Sequence, residues 1–261
     1  MLISAPPRAV VPLLLAASLL LQAGCASAPA DGTSSAARTE DELAAMHTRL
    51  GIGYLREGQT ERAFERLQRA LDADPGYAPA HNVMAVVYEE LNEPREAERH
   101  YRRAVRLDPT NSKAHNNFGR FLCRRGRYEE AEKHFLKAVQ NPLYVTSQAA
   151  YTNAGRCMRR AGETAKAEQY LRKALQIDPK FPEALLSMAD ISYERGRILS
   201  ARGYLQRYQE VGPKTPPSLW LGVRIERALG DRNAASSYAM LLRNNYPDSR
   251  EAQLLQESET R

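Results

Sequence analysis

An all-α solenoid of repeated helical hairpins is the fold class this sequence predicts, on three observations. Pro75, Pro109, Pro142, Pro179, Pro213 and Pro247 lie 34, 33, 37, 34 and 34 residues apart, behind lead-ins such as LDADP, RLDP and QIDP. A proline lacks an N–H and has a fixed φ, so each one stops a helix and permits the next to begin. Small residues recur at the same offset from these prolines: Gly51, Ala85, Gly119, Gly155, Ala189 and Gly222, then Ala63, Ala97, Ala131, Ala167, Ala201 and Ala234. Small side chains at both offsets let two antiparallel helices approach closely. The third observation is composition, which is rich in Ala, Leu, Arg and Glu with 26% charged residues, as helices favour. The net charge of +6 comes from Lys and Arg interleaved with Glu at helical spacing, and solvated amphipathic helices account for it.

The amino terminus has a different character from the rest of the chain. Arg8 precedes an apolar run over residues 9–21 and then Gln22-Ala23-Gly24-Cys25, the zones of a secretory signal, too short to span a membrane. Ala23-Gly24-Cys25 resembles a bacterial lipobox, although Gln22 stands where Leu is usual and Leu21 is one step further out. A signal over 1–24 and lipidation of Cys25 are expected, and Ala26 in place of Asp implies the outer membrane. Residues 25–43, rich in Ala, Ser, Thr, Asp and Pro without an apolar period, read as a flexible tether.

Six units occupy 44–249: 44–77, 78–111, 112–147, 148–181, 182–214 and 215–248. Within them Gly58, Asn92, Gly126, Gly162, Gly196 and Gly230 sit between the two helices, where a positive φ suits Gly or Asn. Ala70, Ala104, Ala138 and Ala174 form a later small position toward the next unit. Residues 250–261 are expected to continue as a capping helix. With Tyr54 and Tyr88 three residues after the first small position, these features resemble the tetratricopeptide repeat. The resemblance implies a right-handed superhelical solenoid of six tetratricopeptide-type helical hairpins.

No catalytic machinery is visible. His47, His81 and His115 share one repeat position and His100 and His134 another. Equivalent residues of stacked units stand roughly 10 Å apart, whereas zinc ligands lie about 2.0–2.1 Å from one ion. No metal, cofactor or enzyme activity is expected, since a Ser–His–Asp or Cys–His pair, a phosphate loop and HExxH are all missing from the sequence. Cys123 and Cys157 lie in the first helices of units three and four. Those helices would be neighbours, so export to an oxidising compartment predicts a disulfide between them; the alternative is two small buried thiols.

In the repeats this chain resembles, positions 2, 5, 9, 12 and 13 of each unit line a concave groove. That register places Ile52 and Leu55 there in unit one, Lys113, Asn116, Arg120 and Arg124 in unit three, and Thr152, Arg156, Arg159 and Arg160 in unit four. Basic and amide groups then run along one stretch suited to carboxylates or carbonyls of an extended peptide, unless this is simply a solvated basic face. Asp190, Tyr193 and Glu194 of unit five could continue it with opposite charge.

A sharper resemblance rests on NNFGRFLCRRGRYEEAEKHF (116–135), NPLY (141–144), NAGRCMRRAG (153–162), ISYERGRILSARGYLQRY (191–208) and LGVRIERALGDRNAASSYAMLLRNNYPDS (221–249). With the lipoprotein signal and six units, these strings are similar to the type IV pilus biogenesis and stability lipoproteins, the PilF/PilW pilotins, over about residues 44–255. Both cysteines fall where that family carries them, which supports the disulfide. The resemblance implies a monomeric, lipid-anchored outer-membrane protein that binds pilus secretin subunits and promotes their localisation and multimerisation, on which twitching motility depends. The alternative is a general periplasmic adaptor that docks cell-wall enzymes or proteases. Nucleic-acid binding is not expected, because no stacking aromatics interleave with the basic stretch.

Overall fold

The computed structural model describes residues 32–260, with side chains from Thr39 onward. The signal over 1–24 and the expected lipidation site at Cys25 lie outside the described residues. Among the described residues the chain is all helix: α1 (Gly32–Arg56), α2 (Thr60–Ala73), α3 (Ala78–Glu90), α4 (Pro94–Leu107), α5 (Ser112–Arg124), α6 (Tyr128–Ala138), α7 (Ser147–Arg160), α8 (Thr164–Ile177), α9 (Pro182–Glu194), α10 (Ile198–Gln209), α11 (Pro216–Leu229), α12 (Arg232–Asn245) and α13 (Arg250–Glu259). None of these helices is long and apolar enough to cross a membrane. Each odd-numbered helix up to α11 packs on its successor, and each first helix also meets the first helix of the next unit, from α1 on α3 through α9 on α11 to α11 on α13. This is the expected superhelical solenoid, and its core is a spine rather than a ball.

The hairpins turn alike. Asn92 and the five turn glycines adopt φ between 57° and 83°. Just beyond this left-handed residue, a backbone N–H reaches back five residues, as in Gln59 to the Tyr54 carbonyl at 2.9 Å, Glu93 to Tyr88 at 2.8 Å and Arg127 to Leu122 at 3.0 Å. Carbonyls that the helix end would leave unpaired are thereby satisfied. The first small position faces a large residue of the second helix. A Cβ at Gly155 would stand 2.8 Å from Leu171 Cγ and 3.0 Å from the Ala167 carbonyl oxygen, and one at Gly119 would stand 2.8 Å from Phe135. Gly155→Ala is therefore expected to destabilise the chain by about 1–2 kcal/mol, overpacking outweighing the better helix propensity of Ala. An unchanged urea midpoint would show that α7 and α8 part freely.

One expectation needs correction. The segment 25–43 is not a tether throughout, because its backbone is helical from Gly32. Ala44 and Thr48 are buried at the start of unit one, and this packing nucleates a helix. Extending an existing helix backward adds one hydrogen bond per residue fixed and avoids the nucleation cost, and Ala36 and Ala37 favour it. The histidines of unlike position also meet within a hairpin. His81 pairs with His100 and His115 with His134 between the two helices of one hairpin, with Nδ1–Nδ1 distances of 2.9 Å and 2.8 Å. The carbonyls of Pro75 and Pro109 lie 3.1 and 3.0 Å from Nε2 of His81 and His115. A carbonyl only accepts, so Nε2–H donates and Nδ1 is left to accept from the second histidine.

Burial, then the neighbouring histidine and cationic side chains, lowers His100 and His134 to about 4. A histidine depressed in the folded state takes up its proton on unfolding. Stability is thus complete above the ordinary value near 6.5 and falls as pH drops from there toward 4. Imidazole NMR titration is expected to show both rings neutral at pH 5.5, and normal titration near 6.5 would contradict the pairing.

Unit three runs long because α6 stops at Ala138 and the connection to Ser147 packs Tyr144 on Ala138 and Ala150. At the far end α13 lays Ala252 and Leu255 on Leu219, Val223 and Leu242, covering the apolar face of the sixth unit.

Candidate protein-binding groove

Units three and four are joined side by side. Cys123 near the end of α5 and Cys157 on α7 form a disulfide with a Cα–Cα distance of 5.7 Å. Asn153 also donates from Nδ2 to Asn116 Oδ1 at 3.1 Å, and Asn117 to Asn82 at 3.2 Å, so an amide rung links each first helix here to its neighbour. At 3.6 residues per turn, Arg120 and Arg124 share one face of α5, and Arg156 and Arg160 share one face of α7. All four line a cavity of about 150 Å³ whose wall includes both cysteines. Arg124 is paired with Glu89. Arg120, Arg156 and Arg160 have no carboxylate of the described residues within ion-pair distance, and all three are exposed.

The surface changes character toward unit five. Arg159 is held by Asp190 at 2.6 Å and Glu194 at 2.5 Å. Burial alone would lower its guanidinium, but the two carboxylates more than offset that and raise it. Asp190 also binds Arg224 at 3.3 Å, whose guanidinium lies 4.7 Å from the Tyr193 ring centre and 5.9 Å from that of Trp220, within cation–π range. Two further cavities adjoin: about 380 Å³ with Arg156, Arg159, Arg160, Ser187 and Ile191 on its wall, and about 340 Å³ with Arg156, Arg159, Ser187, Leu186, Pro217 and Trp220. Sharing Arg156 along their length, the three cavities form one groove from α5 to α11.

The expected lining residues therefore divide. Arg120, Arg124, Arg156, Arg159 and Arg160 come together, Lys113 is exposed at the start of α5, and Asn116 serves the amide rung. Ile52 and Leu55 are half-buried against Leu67, Val83 and Met84, away from this groove. Thr152 does not line it; the residue is 2% exposed and its hydroxyl donates to the Gln148 carbonyl at 2.8 Å. Position 5 lies on the flank turned toward the neighbouring helix, where a short side chain is covered. Asp190 lines the cavity beside Trp220, but neither it nor Glu194 adds free negative charge, because Arg159 and Arg224 engage them, and Arg224 also lies over Tyr193. Leu186, Pro217, Trp220, Arg224 and Asn153 also line the groove, although none of them is among the expected residues. Leu186 occupies position 5 of its unit and could have been found by the same register. Trp220 and Asn153 occupy position 6, and only the bend of the groove brings that position to its wall. Among the described residues no group of three or more His, Cys, Asp or Glu is placed to hold a metal.

Tetratricopeptide-repeat family models match residues 41–110, 111–180 and 158–221. The chain is 35% identical over 249 residues to the type IV pilus assembly protein PilF of Pseudomonas aeruginosa, covering 95% of this chain and 98% of that one. The solved structure from a functional characterisation of Pseudomonas aeruginosa PilF superposes with a TM-score of 0.77 at 36% identity, covering 84% of this chain and 99% of that one. PilW, described as a widely conserved type IV pilus biogenesis factor, superposes at 0.75 with 32% identity, covering 82% and 98%. The chain thus belongs to the PilF/PilW family of tetratricopeptide-repeat proteins of type IV pilus biogenesis.

Proposed function

We propose that this chain is an outer-membrane lipoprotein pilotin, a non-catalytic scaffold that binds pilus secretin subunits and promotes their localisation and multimerisation. The likeness to PilF over 95% of the chain carries the reading. It is supported by a groove whose unpaired guanidiniums suit carboxylates of a client chain. The lipobox-like sequence ending at Cys25 supplies the anchor in this reading, since acyl chains contribute about 0.8 kcal/mol per buried methylene. The test is deletion of the gene, with secretin multimers then measured in membrane fractions. Loss of multimers from the outer membrane, restored by the intact gene and poorly by Cys25→Ser, is the expected result. Unaltered multimers would remove the pilotin role.

A further inference from the structure

We propose that the groove between α5 and α11 takes an extended peptide with two unlike ends. One carboxylate sits among Arg120, Arg156 and Arg160 over the disulfide, and a large apolar side chain sits against Trp220, Leu186 and Pro217. The inference deepens the secretin-binding reading and rests on it for the biological source of the peptide.

Three guanidiniums gathered on one cavity without a carboxylate repel one another, and an anion relieves that repulsion. The floor beneath them is fixed, because the disulfide ties α5 to α7 where the cavity opens. The opposite end is balanced in charge, with Arg156, Arg159 and Arg224 on the same wall as Glu183, Asp190 and Glu251, so it has no excess charge to hold an ion. It holds the only tryptophan of the chain, half-buried beside Leu186 and Pro217, and its wall also carries the carboxylates of Glu183 and Glu251, neither of them in an ion pair among the described residues. Those two would repel a second acidic residue, and Asp190 is already engaged by Arg159 and Arg224. The peptide's polarity is thus set by charge at both ends.

The spacing is fixed by the solenoid. The cluster over the disulfide lies between units three and four, and the Leu186, Pro217 and Trp220 side of the far cavity lies between units five and six, two steps of about 10 Å each. An extended chain rises about 3.3 Å per residue, which separates the acidic and apolar side chains by about six residues. The middle cavity, sharing Arg156 and Ser187 with its neighbour, receives the side chains between them.

Trp220 provides the measurement, since all tryptophan emission of the full chain arises at this site. The probe is a nine-residue synthetic peptide of Ser and Gly with Asp at its second position and Phe at its eighth. Three relatives accompany it: Asp replaced by Lys, Phe replaced by Ser, and Phe moved to the fourth position. Saturable change of emission with the first, and binding weakened about tenfold in each relative, is expected. In Arg120→Gln with Arg160→Gln the preference for Asp over Lys should disappear while the preference for Phe persists. Equal binding of all four peptides, or no saturable change with any, would overturn the proposal. Secretin capture from solubilised outer membranes is read in parallel. Capture without peptide discrimination leaves the secretin reading and removes this one, and discrimination without capture does the reverse.

Discussion

Removing the Cys123–Cys157 bond is expected to lower the stability of the chain by about 3–4 kcal/mol, from the loop entropy released to the unfolded state by a cross-link spanning 34 residues. The effect is large because of where the bond sits. In a solenoid each unit is stabilised only by its neighbours, and this bond crosses one neighbour interface directly, between α5 and α7. The same interface has an amide rung, Asn153 to Asn116, but a neutral hydrogen bond contributes only about 1 kcal/mol net. Urea unfolding of Cys123→Ser with Cys157→Ser, against the parent with and without reductant, measures the loss. The double variant and the reduced parent should coincide, and oxidant should restore the parent but not the variant. A midpoint shift worth less than about 1 kcal/mol would mean that packing alone holds units three and four together.

Glu168 ranks second. Its carboxylate, 7% exposed, accepts from Arg172 of its own helix at 2.6 Å and from Arg195 and Arg197 of the next hairpin at 2.9 Å. Hydrogen bonds from Arg197 lead, against the opposing effect of burial, and together with Arg172 they hold Glu168 down to about 2. A carboxylate depressed in the folded state stabilises the fold above its unfolded value near 4.5, and that contribution is lost as pH falls from there toward 2. Full conversion of the shift would come to about 3 kcal/mol. The three arginines are 37–55% exposed, so solvent screening reduces it to about 2 kcal/mol. Glu168→Gln should lose that amount at pH 7 and only a few tenths of a kcal/mol at pH 2, where the folded carboxyl is half protonated, narrowing the gap between parent and variant across the acid range. A gap independent of pH would assign the loss to packing rather than charge.

Much of the fold is legible in the sequence because it depends on single residues at fixed register. A proline ends a helix, a glycine or Asn92 opens a turn, and a small residue at one offset admits Leu171 or Phe135 from the partner helix. The cysteines belong to the same class, since both fall in first helices that stack. Features that are not legible depend on two elements at once. The His81–His100 pair needs the depth at which α3 crosses α4. The pairing of Arg159 with Asp190 and Glu194 needs the offset between α7 and α9, and without it a neutralised cluster reads as open negative charge. Thr152 departs from its expected place because a groove position defined by residue count takes no account of how small the side chain is. The helical start at Gly32 is hidden for another reason: its residues carry no apolar period, and the packing that extends them lies further along, at Ala44 and Thr48.

That early start has a mechanical consequence. From Gly32 to Ala44 the helix runs about 18 Å at 1.5 Å per residue, continuous with the part of α1 that packs on α2 and α3. A pull applied at Gly32 is transmitted along the helix axis, so it slides the whole packed face of α1 against its neighbours at once. Many contacts share the load, where a pull at right angles would peel them one by one. The first hairpin resists such a force as a lap joint does, in shear.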